Sequence, residues 1–217
     1  MALMVVDHVG AIFFPDILIF RIIGRLSFPL FAWLIANGAF HTKDIVLYIK
    51  RLFIFAFISQ IPYWLAFSSL GIDRNLNIFF TLALGALSLY LLQKFNKKYV
   101  QVGSILILSF LASLLMVDNG SAGVLSIVMF YLFFHNKRKM FLSQLLIFSC
   151  FYTLPLIETF GLSDAYANNA VGLVQPLAIL STFIIWKYNG EEGIKAKYLF
   201  YLFYPLHLLI LFLITLI

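Results

Sequence analysis

Asp7 and His8 stand side by side in an apolar run, residues 1–14 (MALMVVDHVGAIFF), and a carboxylate beside an imidazole is a combination that acid–base chemistry uses. A carboxylate that fixes the tautomer of an imidazole would let His8 act as a general base toward an amine or a hydroxyl. Neighbouring residues of a helix point about 100° apart, so the two do not easily bond to each other if the run is helical. Arg21 and Arg25 follow, four residues apart and therefore on one helical face. Two arrangements are open. In one, Asp7 pairs with Arg25 or Arg21 while His8 alone faces a cavity; in the other, the charges only form a salt bridge that pins two segments together.

Other polar residues recur in apolar surroundings. Ser59, Gln60 and Tyr63 lie beside Pro62, which frees a backbone carbonyl about one turn earlier, and Gln60 and Tyr63 share a helical face. They can line a cavity or hydrogen-bond between helices. Asn75 and Asn77 follow Arg74 just before an apolar segment, where they suit either substrate contact or a helix cap. Tyr204 and His207, at i, i+3 spacing beside Pro205, interrupt the last apolar segment. Arg51 opens the segment that holds Gln60, next to Lys50 and Lys43, and its fork geometry suits the phosphates of a cytosolic donor. His41 and His135 fall in polar loops and read as solvated. The single cysteine, Cys150, reads as packing, so neither disulfide nor metal chemistry is indicated.

The elements that must position these residues are set by composition. Of 217 residues, 63% are hydrophobic and 11% charged, against about 25% charged in a soluble domain. Apolar stretches long enough to cross a bilayer recur along the chain, so the predicted fold is all-α: a polytopic transmembrane helix bundle in one domain, residues 1–217. Nine segments are predicted, at about 1–14, 24–40, 46–67, 77–93, 100–116, 121–134, 140–157, 171–188 and 197–217. Twelve of the fifteen Lys and Arg residues fall in alternate loops (43–51, 94–98, 137–139 and 187–197), which places the N-terminus in the cytoplasm and the C-terminus outside. That sorting also explains the net charge of +6 without nucleic acid. The run before Pro15 is short for a span, so a start upstream of Met1 is expected; it lacks the basic n-region and small-residue cleavage site of a signal peptide. No internal repeat is visible.

The ordered motifs are DHVGAIF (7–13), RIIGRLSFPLFA (21–32), YIKRL (48–52), ISQIPY (58–63), LNIFFTL (76–82) and FYPLH (203–207). Together they resemble the TraX family of integral membrane proteins, over residues 3–210. The resemblance implies acetylation, since the family's namesake is associated with N-acetylating the amino terminus of pilin. It is also distantly similar to membrane acyltransferases that carry an acetyl group from cytosolic acetyl-CoA to an acceptor at the outer face. On that analogy Asp7 and His8 are the catalytic pair, with Arg25, Arg51, Gln60, Tyr63, Asn77 and His207 around them. Tyr204 joins this substrate-binding set through its spacing to His207. The implied co-substrate is acetyl-CoA and the acceptor a pilin amine or a surface-polymer amine or hydroxyl. The implied location is the bacterial cytoplasmic membrane. Two other readings compete: a proton-coupled transporter with Asp7, His8 and His207 as a relay, and a non-catalytic assembly partner for surface structures.

Overall fold

The computed structural model describes residues 1–70, 75–155, 174–191 and 197–217. These are helical, and no β-strand is present among them; the one β-bridge joins Leu76 to Val117. The chain divides into two compact units, Met1–Phe31 with His135–Gly193, and Ala32–Phe134 with Ile194–Ile217.

In the first unit, α1 (Ala2–Phe13) ends where Pro15 biases Phe14 away from helical geometry (φ −136°, ψ 54°). A short turn leads into α2 (Leu18–Arg25), which packs back against α1. Two glycines allow the approach. A Cβ on Gly10 would run into Phe20, and one on Gly24 would run into Asp7. The residue after α2, Leu26, keeps helical angles, so the chain runs on into α3 (Ser27–His41). Later in the chain α8 (Lys137–Phe148), capped by Asn136, continues as a π-helical stretch, Ser149–Thr153. A 3₁₀ stretch, Gln175–Leu180, then leads into α9 (Ser181–Trp186) and packs on α2, α8 and the π segment.

In the second unit, α4 (Ile45–Phe67) starts at Asp44, whose carboxylate accepts the Leu47 N–H at 2.8 Å. Its buried stripe is Ile49, Leu52, Ala56, Ser59, Gln60, Tyr63, Ala66 and Phe67, a helical i, i+3, i+4 pattern. The opposite face carries Ile54, Phe57, Ile58, Ile61, Trp64 and Leu65, all exposed. Over this stretch the polar side chains Ser59 and Gln60 are buried among apolar ones, while the exposed residues are apolar, unlike the surface of a soluble helix. The central helix α5 (Ile78–Lys94) is buried along most of its length against α4, α6 (Lys98–Leu114) and α7 (Gly120–Leu132). The α6–α7 turn is held by Met116 and Asn119 at positive φ (51° and 62°) and by the bridge to Leu76. The last helix, α10 (Lys197–Ile214), packs on α4.

With α2 and α3 taken as one helix, the described residues hold nine helical segments at the places the hydrophobic pattern predicts. One boundary moves. The second segment begins at Leu18, not near residue 24, so the helix takes in Arg21 as well as Arg25. Among the described residues two helices are long and apolar enough to cross a membrane, Leu18–His41 and Ile45–Phe67, and six more apolar helices have 10–17 residues.

Asn77 closes the start of α5. Its Oδ1 accepts the Phe79 N–H at 3.0 Å, and its Nδ2 donates to the Ala56 carbonyl and to Gln60 Oε1, both at 2.7 Å. Asn77→Ala removes the cap and both side-chain hydrogen bonds to α4. We expect a loss of about 2–4 kcal/mol of stability, read as an earlier unfolding midpoint in detergent.

Candidate functional site

The charged cluster of the first unit is built on the α1–α2 hairpin. Gly24 lets α2 come close enough for Arg21 Nη1 to lie 3.0 Å from Asp7 Oδ1 and to donate to the Asp7 backbone carbonyl, also at 3.0 Å. One guanidinium therefore holds both the side chain and the backbone of the same residue. Arg25 is close enough to act electrostatically on Asp7, and its Nε is buried with no hydrogen-bond partner among the described residues. His8 is half-buried on the next position of α1, about 100° around from Asp7. Of the two partners open to Asp7, the ion pair forms with Arg21.

In the second unit, Gln60, Tyr63, Asn77 and Tyr204 gather at the amino end of α5. Gln60 Oε1 accepts from the backbone and side-chain nitrogens of Asn77, and Gln60 Nε2 donates to the Asn75 carbonyl at 2.9 Å. Trp64 donates to that same carbonyl at 3.0 Å. These groups are committed to one another, so Gln60 and Asn77 join α4 to α5. Tyr204 is buried edge-on against Phe79, 5.2 Å between ring centroids, with the Ile78 N–H directed at its hydroxyl. Tyr63 packs tilted against Phe67, 5.1 Å between ring centroids, and lies within electrostatic reach of Tyr204.

His207 stands one turn beyond Phe203, with Nδ1 2.8 Å from the Phe203 carbonyl. A carbonyl only accepts, so the nitrogen that bonds it carries a proton. The imidazole packs on Phe203 and Tyr204, at 5.1 and 5.5 Å. Arg51 lies elsewhere on α4, about 13 Å along the helix from Gln60 by helical rise. Its guanidinium sits beside the Tyr201 hydroxyl and near Tyr48, with Nε buried and without a hydrogen-bond partner among the described residues. Arg74, read above as a neighbour of Asn75 and Asn77, lies outside the described residues.

Two residues enter the picture that sequence reasoning left aside. Asp118 donates its N–H to the Leu76 carbonyl at 2.8 Å and accepts the Thr81 hydroxyl on its own carbonyl. Its carboxylate is within electrostatic reach of Tyr63 and Tyr204. Gly24 is the other; an isolated glycine inside a helical pattern is the signal that marks a close approach. Among the described residues no group of three or more His, Cys, Asp or Glu side chains could hold a metal ion.

Comparison with known proteins agrees in extent with the motif order. The family model described as TraX protein matches residues 1–215. A curated relative from Dichelobacter nodosus, described as "Probable fimbrial assembly protein FimC, serogroup H1", is 28% identical over 223 residues, covering 96% of this chain and 89% of that protein. No solved structure matches.

The hairpin geometry gives a double-mutant test. Arg21→Gln leaves the Asp7 carboxylate without its ion pair, with an expected loss of about 3 kcal/mol; Asp7→Asn in the same chain recovers part of it. Unfolding midpoints of both single variants and the double variant in detergent check this. Additive losses would contradict the pairing.

Proposed function

Because the chain belongs to the TraX family, we propose that it is a multi-pass inner-membrane acetyltransferase with its amino terminus in the cytoplasm. Acetyl-CoA is the donor in this reading, and an amine or hydroxyl at the outer face is the acceptor. The family link to pilin acetylation and the fimbrial-assembly description of the Dichelobacter relative favour a pilin amino terminus or another component of a surface structure. Several features support the membrane reading. From Ile54 to Leu65 the exposed residues of α4 are all apolar, and α5 and α6, at 17 residues each, reach the lower end of a spanning length.

The observation that carries the catalytic reading is the double hold of Arg21 on Asp7. It engages the carboxylate as the anchor of α1 and keeps the turn bearing His8 in a fixed orientation. His8 then acts alone as the general base. It takes the proton from the acceptor amine or hydroxyl as that atom attacks the thioester carbonyl. The C–S bond breaks, and the imidazolium returns the proton to the departing thiolate. Arg25, whose Nε has no partner within the described chain, is suited to the negative charge that develops on the carbonyl oxygen. Exclusion of water from an apolar site limits hydrolysis of the thioester. In the second unit, Arg51 beside Tyr201 is suited to a phosphate of the donor.

His8→Ala is expected to lower acetyl transfer by at least about 100-fold while the chain still inserts and elutes as a single species. Transfer retained within a few-fold would remove the base assignment, and an unfolded product would favour a purely structural histidine. Arg51→Gln is expected to raise KM for acetyl-CoA roughly tenfold with little change in kcat, since it acts on binding. Steady-state kinetics over a range of acetyl-CoA concentrations separates the two parameters.

A further inference from the structure

The turn between α5 and α6 concentrates positive charge in a way that the acetyl-transfer reading does not use. Lys94, Lys97 and Lys98 are all exposed, and residues 75–117 contain no Asp or Glu to offset them. Other basic stretches are partly committed. Lys137 donates to the Trp186 carbonyl at 3.1 Å, and Lys43 adjoins Asp44.

Local geometry keeps these lysines available. Gln101 Nε2 donates to the Leu92 carbonyl in the last turn of α5 and to that of its C-cap Phe95, at 2.9 and 2.6 Å. Two of the carbonyls at the negative end of the helix, which repels an anion, are thereby occupied from within the turn. Lys94 Nζ lies over the Tyr90 ring at 5.4 Å, and Lys97 Nζ over the Tyr99 ring at 5.9 Å. The rings orient the ammonium groups without neutralising them. Phe95 and Tyr99 are themselves exposed, Tyr99 to 70%. Aromatic rings beside lysines at the end of a spanning helix are the composition of the headgroup layer.

We propose that the α5–α6 turn is a binding site for the headgroup of an anionic phospholipid, in which Lys94, Lys97 and Lys98 engage the phosphodiester and Phe95 and Tyr99 enter the interface beside it. The occupant follows from charge complementarity: three cations without a carboxylate, at the end of two apolar helices, face the leaflet that carries anionic lipid. The proposal rests on the membrane-spanning reading above, though not on acetyl transfer.

The test is lipid retention. The chain is purified in dodecyl maltoside with equal amounts of phosphatidylglycerol and phosphatidylcholine of the same acyl composition, and the lipid that co-elutes is quantified by mass spectrometry. The wild-type chain is expected to retain the anionic lipid in several-fold excess. Lys94→Gln, Lys97→Gln and Lys98→Gln combined should bring the ratio close to one, and Lys97→Gln alone should lower it partway, which covers failure of the triple variant to fold. Neutralising Lys137, Arg138 and Lys139 should leave the excess in place. An excess that survives the triple substitution, that is absent from the wild-type chain, or that inorganic phosphate abolishes would overturn the site. Release of the chain from native membranes by alkaline carbonate would overturn both the site and the spanning reading, whereas an embedded chain without enrichment overturns the site alone.

Discussion

A hydrogen-bonding or charged group set in an apolar helix must find its partner within the protein, because the surroundings offer none. The described parts of both units are organised by that constraint. In the first, Asp7 would be costly on α1 without a cation, and Arg21 supplies one while also taking the Asp7 backbone carbonyl. In the second, Asn77 and Gln60 satisfy one another and the nearby backbone, so the start of α5 and the middle of α4 are tied together. Each solution needs close approach. Gly24 provides it for α2 against α1, and the small Ala56 provides it beside Asn77.

These anchors bear on how the functional residues divide their roles. Asp7 is engaged by arginine, so the adjacent histidine is better viewed as a separate group on the same rigid turn than as half of a dyad. Gln60 and Asn77 tie α4 to α5, and Tyr63, Tyr204 and Asp118 lie within electrostatic reach of one another beside that tie. Arg25 and Arg51 share another property: each has a buried guanidinium nitrogen without a partner in the described chain. In an apolar setting such a nitrogen is suited to an anionic or carbonyl group of a substrate.

Much of this was legible in the sequence because long apolar runs and helical spacing survive folding unchanged. The positions of the helices, the shared face of Gln60 and Tyr63, and the cap at Asn77 all follow from local pattern. The start of α2 did not, since a hydrophobic window stops at charged residues and so placed Arg21 ahead of a helix that contains it. Nor could spacing choose between Arg21 and Arg25 as the partner of Asp7; that depends on how α2 rests on α1. The π segment at Ser149–Thr153 and the left-handed residues Met116 and Asn119 carry no strong local signal. Asp118 was hidden for the same reason, because only the bridge between Leu76 and Val117 brings its turn to the start of α5.

The central claim is that this chain carries acetyl groups, and it is tested most directly by supplying the donor alone. Purified protein in detergent is incubated with radiolabelled acetyl-CoA, and both the release of free CoA thiol and the transfer of label to added peptide or glycan acceptors are followed. Acetyl transfer predicts thiol release above a heat-inactivated control, with label appearing on an amine or hydroxyl acceptor. Absence of both acetyl-CoA binding and turnover in a folded, monodisperse preparation would contradict it and favour a transporter or an assembly partner.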